Sequence, residues 1–201
     1  MKLKRMLPVV AILVAGAALA QQKKGIIVEG GSPPDERGSA RLLYWNLDTD
    51  SAAGQFAINY GRPLWRKDYE DPSKFSAMTE GKVWRMGSNY WTTLDTQLPL
   101  EISGERVEPG FYYLGLYRSP EGAQWSLALI DPVPVRAART DAFEVAKAPI
   151  LFKIPVTAAH SATPAERLTI TLTHPKAEIR NATLNIAWVG WLLTAPVKVV
   201  L

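Results

Sequence analysis

Short runs in which apolar residues alternate with polar or small ones are the feature of this 201-residue chain that most restricts its fold. In the clearest run, Leu168, Ile170 and Leu172 are separated by threonines. Alternation with period two places one face of a strand against a core and the other toward solvent. Such runs recur along the chain, at residues 56–60, 98–102, 112–116, 125–129, 168–172 and 184–188.

Turn-forming segments separate these runs. Pro120 suits the second position of a type I turn, so residues 112–118 and 125–130 are predicted to form a hairpin. Many short strands joined by such turns predict an all-β fold, an antiparallel β-sandwich of jelly-roll-like arrangement. Helix is expected to be minor, with a turn or two over residues 140–147.

The first 20 residues have the order of a secretory signal peptide. Three basic residues between positions 2 and 5 precede an uncharged, mostly apolar stretch, and Ala18 and Ala20 supply small residues before a cleavage site. The alternative is a membrane anchor, but the apolar stretch is shorter than the roughly 18 to 20 residues that a spanning helix needs. We expect an exported protein, periplasmic or extracellular, with no transmembrane segment after cleavage.

The remainder is expected to form one domain. Residues 30–35 are rich in glycine and proline, so residues 21–40 are predicted to be a flexible N-terminal segment. Residues 41–201 are predicted to be a single β-sandwich domain, which is long enough to bury a sizeable core. The chain has no cysteine, which excludes disulfides, thiol nucleophiles and cysteine-ligated metals. The core alone must therefore stabilise the fold.

Charge and histidine content exclude several partners. Three of the 23 basic residues lie in the leader, which leaves 20 against 19 acidic residues and no basic run. Nucleic acid is therefore not an expected partner. His160, in an expected loop, and His174 have no neighbours at ligand spacing, so neither a metal site nor a cofactor is predicted. A small molecule, a glycan or a protein remains open as the ligand.

The densest group of informative residues lies at 84–89, with residues 60–63 upstream. Arg62 precedes a proline, which favours an extended backbone, and would share a strand face with Tyr60. An inward arginine needs a carboxylate or several carbonyls to receive it. Asn89 can satisfy the backbone groups of a turn or accept a left-handed conformation. This candidate cluster is either a structural network that locks two sheets together or a clamp for an anion or sugar hydroxyls. It comprises Tyr60, Arg62, Trp84, Arg85, Asn89, Tyr90 and Trp91.

The same residues resemble domain-of-unknown-function family 2911, which consists mostly of exported bacterial proteins. The resemblance covers about residues 55–201, and it implies an exported β-rich domain without an assigned activity. Where the family often has an acidic residue after the asparagine, this chain has Tyr90. The matching positions are Tyr60, Arg62, Pro63, Trp84, Arg85, Gly87, Asn89, Thr92, Gly110, Tyr112 and Leu114.

Three functions are consistent with the sequence. The first is a non-catalytic binding or envelope-associated module that uses the segment 61–93. The second is a hydrolase that uses carboxylates of the charged, non-periodic segment 61–82. The third is a structural partner in an envelope assembly, which requires an exposed apolar patch. Trp188 and Trp191 are three residues apart and should face opposite ways on a strand, so one of them is a candidate for that patch. The carboxylates in question are Asp68, Glu70, Asp71 and Glu80, and the alternative is that they belong to a solvated, charged surface loop.

Overall fold

Ten β-strands form most of residues 36–201, the part of the chain that the computed structural model describes. The predicted signal peptide and residues 21–35 of the predicted flexible segment lie outside the described residues. The first strand begins at Arg37, within the last part of the segment that was predicted to be flexible. Residues 36–201 all fall within one compact unit.

The elements confirm an all-β, antiparallel fold with little helix. Every pair of neighbouring strands is antiparallel. Two short α-helices are present in the described chain, α1 (Pro72–Thr79) and α2 (Pro132–Ala137), with 3-10 helices at Lys67–Glu70 and Ala142–Lys147. The strands are β1 (Arg37–Asn46), β2 (Ser51–Gly61), β3 (Val83–Arg85), β4 (Thr92–Thr96), β5 (Leu100–Ile102), β6 (Glu105–Val107), β7 (Gly110–Arg118), β8 (Trp125–Ile130), β9 (Ile150–Thr173) and β10 (Asn181–Val199).

The strand β9 joins two sheets. Hydrogen-bonded neighbours follow the order β1-β2-β4-β7-β8-β9-β10-β5-β6, and β3 pairs with β7. Residues 150–156 of β9 pair with β8, whereas residues 157–173 pair with β10. The predicted hairpin is confirmed, because β7 pairs with β8 around the turn at 119–122. One strand that belongs to both sheets brings them face to face in a sandwich-like arrangement.

The main core lies between the two sheets. Phe56 and Leu114 of the first sheet are fully buried in the same cluster as Leu184 and Ile186 of the second. A second, smaller core covers the outer face of the first sheet, where α2 and the 3-10 helix at Ala142–Lys147 pack against β7 and β8. That 3-10 helix confirms the helical turns predicted for residues 140–147. Its packing explains why the segment departs from strand periodicity.

The expectation that residues 61–82 are irregular throughout was wrong. The segment contains a 3-10 helix and α1. Asp71 accepts hydrogen bonds from the backbone N–H groups of Ser73 and Lys74, and Pro72 occupies the first helical position. An N-cap aspartate followed by proline is a strong helix start signal, since the cap satisfies free N–H groups and proline needs none. Among residues 36–201, no helix has both the length and the apolar character needed to cross a membrane.

Two expectations about β9 and β10 were also wrong. Val189 has a φ of 51°, and the pairing of β10 with β9 shifts register on both sides of it. This distortion interrupts the alternation, so Trp188 and Trp191 both pack in one aromatic cluster instead of facing opposite ways. His160 lies in β9, not in a loop, and its ring centroid is 4.3 Å from that of Trp191.

Because the chain has no cysteine and therefore no disulfide, removal of a side chain from the core should lower the free energy of unfolding. Leu127 is fully buried between the sheets, so Leu127→Ala should lower the free energy of unfolding by about 2–5 kcal/mol in urea titration. Leu47 is 86% exposed, and Leu47→Ala should change it by no more than about 0.5 kcal/mol. Equal effects of the two substitutions would contradict the placement of the core.

Candidate functional site

A close contact between backbones brings the two sequence motifs together. Gly61 ends β2, and a Cβ atom on it would lie 2.3 Å from the carbonyl oxygen of Ser88. Only a glycine fits there, because real Cβ atoms do not approach backbone oxygen so closely. Asn89 has a φ of 62°, which confirms the predicted left-handed conformation. Residues 60–63 and 84–89 thus form one corner of the first sheet.

This corner borders an open cleft of about 710 Å³. Among the described residues that line it are four arginines and no carboxylate. The arginines come from four places in the chain: the end of β2, the segment before the first 3-10 helix, β3 and β9. They are Arg62, Arg66, Arg85 and Arg167, and the other walls include Tyr69, Trp84, Asn89, Phe143 and Trp188.

Backbone pairing between the exit of β2 and β9 positions two of these arginines. The Leu168 N–H donates to the Pro63 carbonyl over 3.1 Å, and Arg62 Nε donates to the Leu168 carbonyl over 3.4 Å. Arg167 Nη1 donates to the Arg62 carbonyl over 3.1 Å. The carboxylate of Glu36 bridges both side chains, pairing with Arg62 Nη1 and lying 3.3 Å from Arg167 Nε. These partners are the carboxylate and carbonyl that an inward arginine was expected to need.

The position of Arg62 nevertheless differs from the expectation of a core arginine. Its side chain is 28% exposed and lies at the rim of the sandwich. The strand β2 ends at Gly61, before Arg62, so it does not carry the guanidinium into the core. The guanidinium of Arg62 can therefore contact other parts of the protein and also solvent or a ligand in the cleft.

Arg85 lies on another wall of the cleft. The carbon at the centre of its guanidinium is 3.5 Å from the centroid of the Phe143 ring. A cation over an aromatic face is attracted by the ring quadrupole, and stacking leaves the edge of the guanidinium available for hydrogen bonds. Phe143 is 72% exposed and belongs to the 3-10 helix that covers the second core. That helix therefore helps to orient Arg85.

The electrostatics of the cleft favour anions. Four guanidinium groups carry positive charge into the cleft, whereas Glu36 contributes one negative charge in its salt bridges to Arg62 and Arg167. A concave wall with charge of one sign concentrates the field of that charge. Guanidinium groups form two parallel hydrogen bonds to carboxylate, sulfate or phosphate oxygens. The arrangement is suited to bind such a group.

The structure divides the predicted cluster of seven residues. Four of them, Arg62, Trp84, Arg85 and Asn89, line the cleft. Tyr60 is buried, and its hydroxyl donates to the Ile170 carbonyl over 3.1 Å and accepts from the Ile170 N–H over 2.8 Å. This residue links the two sheets and does not reach the cleft.

Trp91 and Tyr90 lie on the outer face instead. The Trp91 ring stacks on Tyr113 with centroids 4.6 Å apart, so it belongs to the second core. Tyr90 is 69% exposed, and its ring centroid is 5.7 Å from the guanidinium carbon of Arg37. Both residues border a separate groove of about 320 Å³, which Asn89 also lines.

Sequence reasoning missed four contributors to the cleft and its charge: Glu36, Arg66, Phe143 and Arg167. Arg66 lies in the charged segment that was expected to be a solvated loop. Arg167 and Glu36 reach the site only through pairing between parts of the chain about a hundred residues apart in sequence. Alternation places Arg167 opposite to the inward Leu168, which marks it as a surface residue but does not reveal its neighbours.

Three of the four loop carboxylates of the hydrolase hypothesis have other partners. Asp71 caps α1 and accepts from the Ser73 hydroxyl over 2.7 Å, which lowers the pKa of that carboxyl group. Asp68 lies 3.4 Å from Lys74 Nζ, and Glu80 lies 3.5 Å from Arg118 Nη1. Within the described chain, no three histidine, aspartate or glutamate side chains form a group that could hold a metal ion.

The fold and the cleft together define an all-β domain of the sandwich-like class with a basic surface concavity. Residues 46–197 match the family described as "Protein of unknown function (DUF2911)", and the chain belongs to this family. This match confirms the resemblance seen in the motifs and extends it to part of β1. No curated protein and no solved structure matches the chain.

The glycine contact at the corner can be tested with a matched pair. Gly61→Ala forces a methyl group against the Ser88 backbone and should lower the free energy of unfolding by about 2 kcal/mol or more. Gly190 has no atom within 4 Å of an added Cβ, so Gly190→Ala should change it by no more than about 0.5 kcal/mol. Thermal melts of both variants measure the difference, and tolerance of Gly61→Ala would refute the close contact.

Proposed function

We propose that the protein is an exported, non-catalytic binding module whose arginine-lined cleft binds a small anionic ligand. The observation that supports this most directly is the convergence of Arg62, Arg66, Arg85 and Arg167 on one cleft of about 710 Å³. The bound group would be a carboxylate, sulfate or phosphate, because these groups match the forked donors of guanidinium.

The competing interpretation of the cleft is a structural network. Glu36 and the backbone do fix Arg62 and Arg167, so these two residues contribute to the fold as well. Arg66 is exposed and Arg85 lies over an exposed ring. A network that served only to lock the sheets would be expected to bury its charges with matching counter-charges. The excess of positive charge in an open cleft favours ligand binding.

The hydrolase alternative has less support. Asp71 and Glu80 already serve as a helix cap and an ion-pair partner, and neither lines the cleft. General acid and base catalysis by a carboxylate pair requires both groups to face the bound substrate.

Anion binding predicts opposite effects for two kinds of substitution. Removal of a cleft donor by Arg66→Ala or Arg85→Ala should weaken phosphate binding about three- to tenfold. Glu36→Gln should strengthen it severalfold, because the competing carboxylate charge is lost while the side-chain shape is kept. Isothermal titration calorimetry of the full chain with inorganic phosphate and with sulfate, at low ionic strength, measures these affinities.

The controls separate binding from folding. Arg106→Ala removes an exposed arginine in β6, and Trp91→Ala removes a ring of the second core, so neither should change phosphate affinity in protein that remains folded. Thermal melts report the stability of each variant. If Arg66→Ala, Arg85→Ala and Glu36→Gln alter only stability, or if wild-type protein binds neither anion, the cleft is a structural feature and the proposal fails.

A second candidate function is association with a partner in an envelope assembly. Apolar side chains at the far end of β1 are exposed, among them Trp45 at 51% and Leu201 at 45%. They border a groove of about 510 Å³ that also includes Leu43 and Ile179. Exposed apolar residues that form one patch mark interaction surfaces. Trp191, the residue that the sequence suggested for such a patch, lies elsewhere, in the aromatic cluster.

Self-association through this patch predicts a larger sedimentation coefficient as protein concentration rises. Trp45→Ser combined with Leu43→Ser should abolish that dependence without changing phosphate affinity. A wild-type protein that sediments as a monomer at every concentration would argue against association between copies.

A further inference from the structure

A small apolar cavity lies beside the arginine-lined cleft. Its volume is about 50 Å³, several times the roughly 10–15 Å³ that one water needs by the same measure. Nearly all of its wall is aromatic or aliphatic, and we call it the aromatic cavity. Its lining residues are Trp65, Tyr69, Phe75, Met78, Thr79, Trp84, Leu116, Trp125, Leu168, Ile186, Trp188, Trp191 and Leu193.

The aromatic cavity and the cleft share a wall. Tyr69, Trp84 and Trp188 line both spaces. The rings of Trp84 and Trp188 are stacked with centroids 4.4 Å apart and planes within 7° of each other. Because these three side chains line both spaces, the aromatic cavity lies directly beside the cleft.

The wall of the aromatic cavity contains polar groups that the fold does not use. The indole N–H groups of Trp65 and Trp188 are buried and have no hydrogen-bond partner among residues 36–201. Buried donors are nearly always satisfied in folded proteins, so two of them at one cavity call for an explanation. An oxygen atom of a ligand, placed where the polar and apolar parts of the ligand meet, would accept from such a group.

The cover of the aromatic cavity is held more weakly than its floor. The helix α1 contains no buried residue, and it contacts the cavity through Phe75 and Met78. Phe75 stacks on Trp191 with centroids 6.2 Å apart, and Arg118 Nη1 donates to the Thr79 hydroxyl over 3.0 Å. The floor, by contrast, is formed by buried strand residues such as Leu168. The cover thus lies at the surface of the domain, whereas the floor is part of the core.

We propose that the ligand is an amphipathic anion, with its charged group among the arginines and a short alkyl group in the aromatic cavity. This inference rests on the proposed function of the cleft and adds the class of ligand to it. An apolar wall rejects a second charged group and gains affinity from each methylene that leaves water. Alkyl phosphates, alkyl sulfates and short fatty acids fit this description.

The test compares two ligands that share the phosphate group, of which only one carries an alkyl chain. Hexyl phosphate should bind the full chain at least tenfold more tightly than inorganic phosphate, since burial of about two methylene groups gives that factor. It should also change the intrinsic tryptophan fluorescence, because five tryptophans line the aromatic cavity. Inorganic phosphate should leave the fluorescence nearly unchanged.

Two variants locate the tail. Leu193→Phe fills the aromatic cavity. It should remove the gain in affinity that the hexyl group provides, while inorganic phosphate still binds. Met78→Trp acts at the half-exposed cover and should do the same if Leu193→Phe does not fold. Leu43→Phe adds the same volume at a distant exposed site and should preserve the gain.

The outcomes distinguish the two proposals. If phosphate binds and hexyl phosphate binds no tighter, the inference of an amphipathic ligand is overturned and the anion site stands. If the gain persists in the cavity-filled variants, the tail binds elsewhere and the inference is likewise overturned. If neither compound binds, the proposed function itself fails.

Discussion

The pairing of one strand with two sheets is the constraint on which the rest of this structure depends. Because β9 continues from the first sheet into the second, the sheets must face each other and enclose the core. The exit of β2 then pairs with β9 through backbone hydrogen bonds between residues 63–65 and 166–168. The hydroxyl of Tyr60 adds two hydrogen bonds to Ile170 at the same seam. The arginine-lined cleft lies where this seam reaches the surface.

Local pattern predicted several of the strands and the pairing of β7 with β8, but it did not predict the other pairings. Alternation identified the inward residues of β7, β8 and β10, and Pro120 identified the hairpin turn. Asn89 could be assigned a left-handed backbone from its side-chain chemistry alone. The helix α1 was missed, although Asp71 and Pro72 form a strong start signal, because the charged residues around them were interpreted as a solvated loop. The distortion of β10 at Val189 was missed because a β-branched residue rarely adopts positive φ.

The candidate site was predictable only in part, because local patterns do not show contacts between distant parts of the chain. The motif residues 84–89 are close in sequence, so their clustering was visible. Glu36 and Arg167 join Arg62 only through the tertiary pairing at β9, and no periodicity reports such contacts. The motifs also mix two roles. Gly61 and Tyr60 build the corner, whereas Arg62 and Arg85 face the cleft. A family match thus identifies the scaffold more directly than it identifies the ligand.

The location of Glu36 makes the charge of the cleft depend on a residue that lies outside the strands. This residue precedes β1 and lies in no strand, yet it supplies the negative charge that offsets Arg62 and Arg167. A protease that trimmed the polypeptide just after it would leave the sandwich and all four arginines in place. The trimmed form would have a more positive cleft than the intact one. Loss of a single residue before β1 would thus change the charge balance of the cleft without altering any residue of its wall.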